Sequence, residues 1–225
     1  MFPGVGAGRA RGGGRASISV VCGCLHSPAR AALPGTITPR FARGLAGFAA
    51  GLPGAFSDEK ALFEKAVILK MLGDARVEFS SVTNRIENLE EAVSAYDGAL
   101  QIMSPETHSQ ERGVTLLDTG RVLLDIYDSE KSPAHLRKAV RSLREAVDLV
   151  RSRGDRTKKG LTMALMADAL IRYAEVKDWR ENLDRAARLY EAALGFLKEP
   201  EHAARRDRIR EGLKEAVEKI NAAYQ

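Results

Sequence analysis

From Ser57 to the C-terminus, apolar residues recur at the three-and-four spacing of amphipathic helices, in blocks separated by short polar breaks. Six blocks predict helices over 59–83, 87–103, 109–128, 133–151, 158–176 and 180–198. A seventh, Ala203 to Ala223, carries Ile209, Leu213, Ala216, Val217 and Ile220 on one side and polar residues elsewhere. Ser57-Asp58-Glu59 supplies a capping and dipole-matching start to the first block, and Pro105, Pro133, Gly154-Asp155 and Pro200 break the chain between blocks.

The blocks repeat at an offset of 47 residues. Glu87-Asn88-Leu89 returns as Glu181-Asn182-Leu183, with Ala134-His135-Leu136 between them. Ala92, Tyr96, Ala99 and Leu100 become Ala139, Leu143, Ala146 and Val147, and then Ala186, Tyr190, Ala193 and Leu194. Each unit therefore reads as a helical hairpin, over about 59–105, 106–152 and 153–199, with residues 200–225 closing the stack. Leu69, Leu116 and Met163 form one inward stripe. Gly73, Gly120 and Ala167 form a second, where a partner helix needs to approach the backbone closely, and Ala92, Ala139 and Ala186 are the opposing small sites.

Leu72-Gly73, Ala92 to Tyr96, Ala99-Leu100 and Pro105 resemble the pattern of the tetratricopeptide repeat family, and Ala186, Tyr190, Ala193-Leu194 and Pro200 repeat most of it. The middle unit has Leu143 for the aromatic and lacks the closing proline. The period of 47 exceeds the family's roughly 34, and the segment from Glu87 to Leu100 is especially similar to long-period bacterial arrays. The resemblance covers residues 59–225. It implies an all-α, right-handed superhelix of three hairpins plus a capping helix, with the first helix of each hairpin along the inner curve and a non-enzymatic role as a protein-interaction scaffold.

On that geometry the face opposite the small-residue stripe is the expected groove for a peptide or partner helix. It comprises Ile68, Met71, Ala75 and Glu78, then Thr115, Asp118, Val122 and Asp125, then Thr162, Leu165, Ala169 and Arg172. Apolar members anchor, while Asp118, Asp125 and Arg172 orient the ligand's ends. The competing reading is that Ile68, Val122 and Leu165 simply pack against neighbouring helices. An alternative surface is the basic band of Arg137, Lys138, Arg141 and Arg144, continued by residues up to Lys159, which suits RNA or another anion, although such a band is more often a solvated outer face.

Charge tempers that alternative. Residues 1–57 contain six arginines and no lysine, aspartate or glutamate, whereas residues 58–225 hold 29 basic against 30 acidic side chains. The net charge of +5 thus belongs to the leader, and nucleic acid is not the expected partner. The leader, rich in Gly, Ala, Arg and Pro without sustained periodicity, is expected to be disordered. A transit peptide, a secretory signal and a start codon placed too early all fit it. The leader leaves the compartment open between the cytoplasm, slightly favoured, and export or organelle import. The apolar run from Gly44 to Phe56 is too short to span a bilayer.

No catalytic constellation emerges: His26, His108, His135 and His202 show no metal-ligand spacing, and Cys22-x-Cys24 with His26 offers too few ligands for structural zinc. The glycine clusters of the leader follow no strand and precede no helix. No cofactor and no metal are expected. Trp179 reads as a packing residue over the third hairpin's turn.

Overall fold

The computed structural model describes residues 58–151 and 155–222; every expectation for the leader falls outside them, as do residues 152–154 within the stretch that continues the basic band to Lys159. The described residues form α1 (Glu59–Ser80), α2 (Arg85–Ile102), α3 (Ser109–Glu130), α4 (Pro133–Arg151), α5 (Arg156–Ala174), α6 (Trp179–Phe196), a 3-10 turn (Pro200–His202) and α7 (Ala203–Ala222). Among them there is no strand. Asp58 caps α1 by accepting from the Lys60 N–H, and Asp155 caps α5 by accepting from the Lys158 N–H at 3.0 Å.

Helix α1 stops three residues before the expected 83, because Val82 N–H and Thr83 N–H both turn back to the Phe79 carbonyl and Asn84 takes a left-handed conformation, φ 43°. Lys131 (φ 57°) and Asp178 (φ 47°) do the same. The three left-handed residues are spaced at 47, so the repeat fixes the turns as well as the helices. Asn and Asp tolerate this region; lysine adopts it at a cost of about 1–2 kcal/mol.

Three antiparallel pairs result, α1 with α2, α3 with α4 and α5 with α6, and each second helix also packs against the next pair's first, as α6 does against α7. Close approach within a pair rests on the small stripe. A methyl on Gly73 would overlap the Tyr96 ring, and one on Gly120 the Leu143 side chain. Ala92, Ala139, Ala167 and Ala186 are wholly buried, as expected of the small positions. One apolar core runs from Leu89 through all later helices to Ala216, with Leu136, Leu143, Leu170 and Leu197 fully enclosed. Each such leucine contributes about 2 kcal/mol of burial. A smaller cluster of Ala66, Ala99 and Met103 lies apart, inside the first pair.

Helix α7 keeps the repeat register. Its buried Ile209 and Ala216 fall 47 residues after Thr162 and Ala169, so the terminal element stands where a fourth hairpin's first helix would. Arg206 closes α6 as Arg112 closes α2. Arg112 donates to the Leu100 and Met103 carbonyls at 2.7 and 2.8 Å, and Arg206 to those of Leu197, Lys198 and Glu199. These cations satisfy carbonyls that a helix end leaves unpaired.

Candidate functional site

The twelve expected groove positions separate into two sets. Thr115, Val122, Thr162, Ala75 and Ala169 are buried and Ile68 is half-buried, so this set does not line an open groove. Every first helix after α1 packs between its own partner and the preceding hairpin's second helix, and the Thr115 hydroxyl meets the Met103 sulfur at the end of α2 at 3.7 Å. The buried Thr115 and Thr162 hydroxyls donate to the Glu111 and Lys158 carbonyls one turn back, at 2.9 and 2.8 Å, which satisfies them without a ligand. Met71, Asp118, Asp125, Leu165 and Arg172 remain half-exposed and Glu78 exposed.

The charged members of this second set tie hairpins together. Lys70 of α1 bridges to Asp118 of α3 at 3.0 Å while also holding Asp74 at 2.8 Å. Burial works against the Lys70 ammonium, yet Asp118 and Asp74 together raise its pKa above the ordinary lysine value. Arg172 of α5 makes a two-pronged contact with Asp128 of α3, Nε to Oδ1 at 2.9 Å and Nη2 to Oδ2 at 2.8 Å. Those bonds from Arg172 draw the Asp128 carboxyl below its usual range. Asp125, partly buried beside them, is pushed up by desolvation. Asp118 and Arg172, expected to orient a ligand's ends, are thus engaged between hairpins; a ladder of ion pairs fixes the relative position of α1, α3 and α5.

A side-chain pair follows the same period. Tyr96 donates to Asp74 at 2.9 Å, and Tyr190 to Asp168. In the middle hairpin both partners change together, to Leu143 and Arg121. Burial, and then the adjacent carboxylate, raises both phenols far above the normal range. Burial also raises the Asp168 carboxyl, more than the Tyr190 hydrogen bond lowers it. Freed of a tyrosine, Arg121 extends from α3 with its side chain 57% exposed.

Arg121 reaches a hollow of ≈ 240 Å³ between α5 and α7. Leu161, Ala164, Leu165 and Ile209 floor it, Arg121, Arg205 and Arg208 rim it, and Asp168 is its sole acid. Of the expected groove residues, Leu165 alone belongs to it. The arginines were beyond reach of single-helix periodicity, because they converge from different repeats. The 47-residue offset held the signal for Arg121, a cation where the other units carry aspartate.

Arg137, Arg141 and Arg144 are exposed along α4. No carboxylate stands in ion-pair range of these three among the described residues. Lys138 differs, since its ammonium binds Asp97 of α2. Trp179 opens α6 half-covered, 39% exposed, with the Arg180 guanidinium 5.5 Å over its ring.

The described histidines fall at three separate places. His108 stacks on Phe63 with centroids 4.2 Å apart, and His202 is buried with Nε2 3.1 Å from the Thr157 hydroxyl. His135 meets Glu90 and Glu130, one ligand-capable atom of each lying within 4.8 Å of the others. These three come from α2, the end of α3 and the start of α4, so linear spacing could not disclose them. No helix among the described residues is long and apolar enough to cross a membrane. No protein-family model matches the chain, and no curated protein matches it either.

Proposed function

We propose that residues 58–225 form a right-handed superhelix of the tetratricopeptide type and serve as a non-enzymatic scaffold that docks a peptide or helix on the face built by α1, α3, α5 and α7. The ligand it fits carries an apolar side chain flanked by carboxylates. The single observation behind this reading is the hollow between α5 and α7, an apolar floor under three arginines, with Lys219 of α7 bridged to Glu175 at the end of α5 at 3.5 Å. An apolar anchor gains burial there and the arginine rim selects acidic neighbours. The middle hairpin's replacement of an aspartate by Arg121 supplies part of that rim.

Selection from a random peptide-display library on the full chain tests the proposal, run in parallel on Arg121→Glu/Arg208→Glu. Enriched peptides should combine a large apolar residue with Asp or Glu, and the double variant, helical by circular dichroism, should lose them. Enrichment without acidic residues, or retention by the variant, contradicts it.

A second reading has its own support. Arg137, Arg141 and Arg144 lie free of carboxylates on one helix, an arrangement that takes a phosphate chain such as RNA. Its mark is steep salt dependence: binding of a single-stranded RNA oligomer should fall as salt rises, and Arg137→Glu/Arg141→Glu/Arg144→Glu should abolish it. RNA binding that ignores both salt and these substitutions excludes the band.

A further inference from the structure

His135 occupies the repeat position held by Asn88 in the first hairpin and Asn182 in the third. Those asparagines have a structural task. Asn88 donates from Nδ2 to the Thr83 carbonyl at 2.8 Å, and Asn182 to the Lys177 carbonyl at 2.7 Å, each closing its hairpin turn from within. In the middle hairpin the equivalent bond would run from residue 135 to the Glu130 carbonyl, and it is missing. The His135 Nδ1 is closed off from solvent and has no hydrogen-bond partner among the described residues; the Glu130 Oε2 stands 3.5 Å away without forming one. A buried polar nitrogen left unpaired costs about 1–3 kcal/mol. The middle hairpin has exchanged a turn-closing amide for an imidazole at an energetic loss.

The surroundings indicate what offsets that loss. Glu130 sits on the same turn and Glu90 reaches across from α2, so one ring nitrogen and two carboxylates converge with their ligand-capable atoms within 4.8 Å of one another. Both glutamates are exposed and free to adjust. Lys138 lies in the same cleft, but its ammonium is held by Asp97 and does not neutralise either glutamate. The cleft is open, ≈ 620 Å³, and gives entry to Glu90 and His135, while Glu130 is itself exposed.

We infer that Glu90, Glu130 and His135 bind a divalent transition-metal ion of the zinc class. One nitrogen and two oxygens from protein is a donor set zinc accepts, with water completing the tetrahedron. Bonds of about 2.1 Å place tetrahedral ligands roughly 3.4 Å apart; Glu130 Oε2 already stands 3.5 Å from His135 Nδ1, and the remaining adjustment is within the reach of exposed glutamate side chains. The ion takes the place of the missing turn bond and clamps α2 to the α3–α4 turn, joining the first hairpin to the second.

Zinc titration of the full chain by calorimetry tests the inference, in a Cys22→Ser/Cys24→Ser background that removes the leader's thiols. One ion should bind per chain and raise the melting temperature. His135→Asn restores the residue of the other two hairpins, so it is expected to fold. It should lose zinc affinity by more than the roughly 10-fold that an outer-sphere ligand partner costs, and its melting temperature should no longer respond to zinc. Glu90→Gln should weaken binding likewise. Absence of zinc uptake by the Cys-free parent, or uptake that His135→Asn and Glu90→Gln leave unchanged, overturns the site.

Discussion

Glycines at matched repeat positions carry the tightest constraint on single residues. Gly73→Ala and Gly120→Ala drive a methyl into the Tyr96 ring and the Leu143 side chain, and we expect each to lower stability by about 1–3 kcal/mol in urea unfolding. Gly195→Ala is the control. A methyl there meets nothing within 4 Å, so the variant should gain about 0.5–1 kcal/mol from helix propensity alone. Equal losses at all three positions would mean that the stripe does not set the helix spacing. Lys131 tests the turns in the same assay. It holds φ 57° where the sister hairpins place Asn84 and Asp178, so Lys131→Gly should stabilise by about 1 kcal/mol. The glycine stripe was legible in the sequence because the offset of 47 aligns Gly73 with Gly120. The convergence of Glu90, Glu130 and His135 was not, since three separate helices bring it about and no spacing along one of them encodes it.

Between elements, the ladder of charges does what the expected groove was thought to do for a ligand. Arg172 and Asp128 are each partly exposed, so their two-pronged pair contributes about 0.5–1 kcal/mol and less at high salt. The pH response has a definite sign. Arg172 depresses the folded-state pKa of Asp128 below its ordinary 3.8, so the pair's stabilisation is present above that value and disappears as pH falls through the lower, folded-state one. Asp128→Asn should therefore be less stable than the parent near neutrality and should converge with it in acid, as read from urea midpoints across pH. A gap that persists unchanged into acid rules the pair out as the cause. The helices themselves were readable within a few residues of their ends. Which arc of each helix is covered was not, because periodicity marks an apolar stripe without saying how many neighbours share it. Thr115 and Val122 show the consequence: both lie away from Gly120 on α3, and both are buried.

Across the whole molecule, the core that threads from α2 to α7 makes the hairpins interdependent. Nearest-neighbour arrays are stable through their interfaces more than through any single unit. Helix α7 ends the array in register, covering the last hairpin with Ile209 and Ala216 while presenting a charged exterior. The chain contains one tryptophan, Trp179, in the third hairpin, whereas far-UV circular dichroism reports on every helix. Urea unfolding followed by both signals is the direct test of a continuous interior. A shared core predicts that Trp179 fluorescence and total helicity change with the same midpoint and slope; a fluorescence transition displaced from the helical one would show that the third hairpin unfolds by itself, and would contradict the account.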